Sequence, residues 1–108
     1  MMQEVKQGYK VVAADLTSSG PTHHWVEYGK RWTQPPPTCG PLCVFHKVEQ
    51  ARAHLKAYEI YGVRIYSCWY VPSVQKQIWV SPTDHWPLVH LPNGTALADA
   101  VYLGERIQ

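Results

Sequence analysis

One stretch constrains this chain more than any other. Lys47 to Val71 reads as a helix that stops at a glycine and runs straight into a strand. Val48, Ala51, Leu55 and Tyr58 recur at steps of three, four and three residues, which lays them along one face. Glu49, Arg52, Lys56 and Glu59 fall mostly on the opposite, solvent side. The spacing predicts a helix over Lys47–Tyr61, with Gly62 free to adopt the left-handed conformation that closes helices. Val63–Val71 follows, rich in β-branched and aromatic residues, and predicts a strand. Val63, Ile65, Trp69 and Val71 lie on one face, Tyr66, Cys68 and Tyr70 on the other. Apolar residues on both faces mark a central strand.

Shorter strands are expected at Tyr9–Asp15, His24–Tyr28, Leu42–His46, Gln75–Val80 and Ala100–Arg106. Leu16–Thr22 is a turn by composition, and Ser81–Asn93, with three prolines, is irregular. Arg31–Pro41 holds four prolines and cannot be helix or central strand, because proline lacks the N–H and fixes φ. It reads as an extended surface crossing, polyproline-like at Pro35–Pro37; a stiff connector and a groove-binding ligand share that composition. The expected architecture is α+β: a mostly antiparallel sheet of five or six strands, packed by one main helix over Lys47–Tyr61. One domain is expected over 9–108, behind a frayed polar segment at 1–8.

That segment lacks the apolar run of a signal peptide, and no stretch approaches the ~20 apolar residues of a membrane span. With three cysteines, an odd number, the expectation is a reduced, cytoplasmic protein with no membrane contact. The ten basic residues against eight acidic ones are dispersed without a run, so nucleic acid is not the expected partner.

Cys39, Cys43 and His46 are spaced like metal ligands, with His85 or His90 as a fourth. The spacing is not that of a standard zinc knuckle, and Pro41 lies inside it; Cys43 and Cys68 read rather as small core residues. The same residues would supply a cysteine nucleophile and its base. No glycine-rich phosphate loop, Gly-x-Ser-x-Gly elbow or His-Glu-x-x-His pattern is present. The expectation is therefore no cofactor, no metal and no catalytic residue.

The aromatic content carries more. Five Trp and seven Tyr stand against one Phe, and Trp and Tyr each carry a polar atom that needs a partner when buried. Such a chain favours half-exposed aromatic surface. His23-His24-Trp25 and Asp84-His85-Trp86 are polar-aromatic clusters at expected loop edges. The residues expected to meet a ligand or partner are Trp32, His46, Trp79, His85 and Trp86.

Gly8–Val12, Tyr28–Pro37, Cys39–Phe45 (Cys-Gly-Pro-Leu-Cys-Val-Phe) and Asn93–Val101 (Asn-Gly-Thr-Ala-Leu-Ala-Asp-Ala-Val) occur in that order. Together they make the chain resemble a group of small uncharacterised proteins from microbial, mobile-element and environmental sequence. The resemblance spans nearly the whole chain and implies a compact domain with a strand–helix–strand core. It implies no activity and no site residue. The functional expectation is a non-catalytic binding or interaction module with a Trp/Tyr-rich surface for a small molecule or protein, self-association included. A small Cys/His enzyme or metal site, and a nucleic-acid binder, are the alternatives.

Overall fold

Strand β1 (Lys6–Ala13) finds a partner on each edge, and that decides the architecture. The computed structural model describes residues 4–18, 26–37, 39–81 and 84–108. Along its whole length β1 pairs antiparallel with β3 (Val63–Pro72), from Lys6↔Tyr70 to Ala13↔Val63. Its other edge meets β2 (Leu42–Phe45) at Tyr9↔Phe45. The longest strand, β6 (Thr95–Arg106), pairs with both β2 and β3. The order β1–β2–β6–β3 therefore closes into a barrel, with β1 and β2 joined at the one pair Tyr9↔Phe45. Strands β4 (Gln77–Ser81) and β5 (Asp84–Pro87) form a separate two-stranded hairpin, followed by a 3-10 turn at Leu88–His90. The single α-helix among the described residues, α1 (Val48–Ala57), links β2 to β3.

The fold is α+β and mostly antiparallel, as the sequence predicts, but the expected single sheet is instead a barrel of four strands plus a hairpin. Closure pairs strand edges and buries one apolar face inside, leaving the other for α1 or for solvent. β6 covers twelve residues rather than Ala100–Arg106 because it has partners on both sides. β1 begins at Lys6, so residues 6–8, expected to fray, are held by β3. The expected strand His24–Tyr28 lies partly outside the described residues. Its described part makes bridges: Thr17 with Glu27, while Ser18 N donates to Val26 O at 3.0 Å. Beyond the short β2, residues 29–33 continue the wall. Thr33 and Val101 exchange both backbone bonds, at 2.8 and 2.9 Å.

The barrel interior is filled by Val12, Tyr28, Leu42, Val44, Cys68, Tyr70, Val101 and Leu103. Outside the wall, α1 lays Ala51 over Val11, Phe45 and Ile65, with Val48 and Leu55 packed beside them. Tyr58, expected on that face, is exposed, because the helix ends at Ala57 and Tyr58 is its cap. The stop is Glu59, not Gly62. Glu59 takes a left-handed φ of 50°, Ile60 N donates to Leu55 O at 2.9 Å and Glu59 N to Lys56 O at 3.3 Å. Those are the two bonds of a Schellman closure, made here without glycine. Gly62, also at positive φ, turns the chain into β3. At the other end Lys47 has no side-chain acceptor to offer, so Gln50 Oε1 accepts the Lys47 N–H at 3.1 Å instead.

Candidate functional site

The strand registers set four side chains in a line across the outside of the barrel. Gln7 on β1 is the Cα partner of Trp69 on β3, and Trp69 is the partner of Tyr102 on β6. Because Thr33 pairs with Val101, Trp32 stands opposite Tyr102. Val101 points into the barrel, so Tyr102 and its row point out. The order Gln7–Trp69–Tyr102–Trp32 thus runs perpendicular to the strands. Trp32 and Trp69 are each 48% exposed, a large apolar area to leave in water. The Tyr102 ring meets Trp32 edge-on, centroids 5.6 Å apart at 63°, rather than its own strand partner Trp69. Among the described residues neither indole N–H of Trp32 or Trp69 has an acceptor.

The charges around the row cancel. Lys30, two residues before Trp32, pairs with Glu105 at 3.4 Å. Arg31 pairs with Glu27 at 3.6 Å, and Lys6, beside Gln7, with Glu4 at 3.4 Å. All are exposed pairs and add little to stability. Their effect is to leave the rim polar and locally neutral.

The residues expected from sequence fall in three places. Trp32 is in the row. Trp79, His85 and Trp86 are all on the β4–β5 hairpin, where Trp79 and His85 are cross-strand partners and stack at 5.7 Å and 18°. Trp86 pairs with Ile78 and so faces the other side of the hairpin from Trp79. The Trp79 ring also rests on Gly40: a Cβ there would sit 2.5 Å from Cε3, and Gly40 N donates to Trp79 O at 2.7 Å. Trp79 therefore anchors the proline-rich crossing to the hairpin. His46 is exposed, with Nδ1 3.5 Å from the Tyr70 hydroxyl. His23, His24 and Trp25 lie outside the described residues. Trp69 and Tyr102 carry the row but were not singled out by sequence; Trp69 read as one of four alternating strand residues, and nothing local distinguishes it.

Two further groupings hold polar chemistry. Inside the barrel Lys10 is only 5% exposed. β1 and β2 pair at one position and then separate, and the Lys10 ammonium donates to Cys43 O at 2.7 Å, in place of a ladder bond. It also lies 4.8 Å from the centre of the Tyr28 ring. Burial pushes the Cys43 thiol up, and pushes Cys68 up to about 12, in both cases against a smaller opposing pull from Lys10. Both remain neutral thiols, the opposite of what a cysteine nucleophile requires. Separately, a groove of about 480 Å³ runs between α1 and residues 90–93, lined in part by His54, Tyr58, His90 and Pro92. His54 Nδ1 is buried without a partner among the described residues, and burial lowers the pKa of the ring.

Among the described residues, no group of three or more His, Cys, Asp or Glu is placed to hold a metal ion. None of their helices is long and apolar enough to cross a membrane. Compared with known proteins, the chain matches no family model, no curated protein and no solved structure.

Proposed function

We propose that this chain is a non-catalytic recognition module and that the row Gln7–Trp69–Tyr102–Trp32 is its binding surface. The observation that carries the reading is the in-register placement of two half-exposed Trp and a Tyr on one bare face of a closed barrel. Aromatic side chains at such positions supply large, rigid contact area and are enriched at the centres of interfaces. The other residues expected from sequence enter unequally. Trp32 belongs to the row, Trp86 and His85 are exposed on opposite sides of the hairpin, and Trp79 has its ring committed to Gly40 and His85. The raised thiol of Cys43 counts against that residue as the nucleophile of a Cys/His enzyme, and the paired charges count against a phosphate-rich partner.

The test is an NMR titration of the whole chain with mixed peptides, oligosaccharides and small metabolites, reading the indole N–H resonances. Movement of the Trp32 and Trp69 signals with Trp79 unmoved is the expected result. Ligands that move only signals remote from the row, or none that move any, would end the proposal.

A further inference from the structure

The chemistry of the row selects among ligands, and the inference rests on the recognition reading above. Trp69 and Trp32 stand two strand steps apart, with Tyr102 between them. At the usual inter-strand distance that is about 10 Å. A polyproline II helix repeats every three residues, about 9.3 Å along its axis. Prolines on one face of such a helix therefore recur at about the spacing of the two strands that carry the indoles. Tyr102 closes edge-on against Trp32, centroids 5.6 Å apart, whereas no ring contact joins Tyr102 to Trp69 among the described residues, so the open step for a pyrrolidine ring lies between Trp69 and Tyr102.

Hydrogen bonding points the same way. A polyproline II backbone keeps its carbonyls unpaired and offers no N–H at proline. It needs donors. The row offers the indole N–H of Trp69 and of Trp32, both without an acceptor among the described residues, and the exposed amide of Gln7 at its end. Charge narrows the choice further. Every cation bordering the row in sequence, Lys6, Lys30 and Arg31, is already paired with a carboxylate. A strand of phosphates would have to break those pairs, whereas an uncharged peptide leaves them intact. Area argues against a second copy of this chain, which would have to recruit the polar, charge-paired rim around the rings. Two half-exposed Trp and a partly exposed Tyr offer about 300 Å², against about 800 Å² per partner in a stable interface. That is the footprint of a short peptide.

We infer that the Gln7–Trp69–Tyr102–Trp32 row binds an uncharged, proline-rich segment of another protein in the polyproline II conformation. The low conformational freedom of such a segment reduces the entropy lost on docking, so a small contact area suffices.

The experiment titrates decaproline, maltohexaose and oligothymidine separately into the full chain, following indole N–H resonances at low and high salt. Decaproline is expected to shift Trp32 and Trp69 in a saturable, salt-independent manner. Trp69→Ala and Trp32→Ala should each weaken it at least about tenfold. Tyr102→Phe, which keeps the ring, guards against loss through misfolding and should retain binding. Saturable shifts at the row from maltohexaose or oligothymidine, but not decaproline, would overturn the ligand class and leave the recognition reading standing. Concentration-dependent dimerisation abolished by Trp69→Ala would overturn the separate-partner assignment. No response at the row to any probe would overturn the inference and, with the broader screen also silent, the reading beneath it.

Discussion

The outer wall of the barrel carries two apolar patches with opposite fates. At one end Val11, Phe45 and Ile65 lie under α1, and Ile65 is 0% exposed. Four residues along the same strand, Trp69 faces water with half its surface. Both residues sit on β3, on the same face, with only Ser67 between them on that face. What separates them is reach. Ten residues of helix span about 15 Å, while the ten residues of β3 span about 33 Å. One short helix can roof only one end of the wall. An uncovered apolar face on a closed barrel is then either an aggregation hazard or a surface for something else.

Substitutions can break or sharpen this contrast. The largest effect is expected under the helix. Ile65→Ala removes a fully buried side chain from beneath Ala51 and should cost about 2–5 kcal/mol in urea unfolding. A cost below about 1 kcal/mol would mean that the roof is not packed as described. Next is the interior that both patches share. Lys10→Met keeps the stem but leaves Cys43 O without its donor, and should cost about 1–3 kcal/mol by the same measurement. A stabilised variant would mean that removing a buried charge outweighs the lost bond. Smaller, and of opposite sign, is the edge of the roof itself. Glu59→Gly relieves a left-handed residue at the helix stop and should stabilise by about 0.5–1 kcal/mol in thermal melting. Destabilisation would show that Glu59 has a role beyond closing the helix.

Much of the covered region was legible in sequence. Val48, Ala51 and Leu55 name the face of α1 that packs, and the two faces of β3 were assigned as found. The helix stop was not legible, because glycine at 62 is the stronger local signal while the closing hydrogen bonds form at Glu59 and Ile60. Barrel closure depends on β1 meeting β2 and β3 at once, from Tyr9↔Phe45 to Lys6↔Tyr70, long-range pairings that no local pattern encodes. The row was legible only in part, for the same reason. Trp32 stood out as a Trp in a proline-rich crossing, but its neighbours Tyr102 and Trp69 are set by register alone. The reverse holds for Trp79: its exposure to a ligand was expected from residue type, whereas Gly40, far away in sequence, occupies its ring.

The central claim is that the Trp69 indole faces solvent for recognition and does not hold the fold together. Thermal unfolding of Trp69→Ala beside Ile65→Ala tests it most directly. The account predicts that Trp69→Ala loses no more than about 1 kcal/mol, the share of its strand propensity and cross-strand contacts, while Ile65→Ala loses several. Equal losses at the two positions would contradict it, because the indole would then be part of the core.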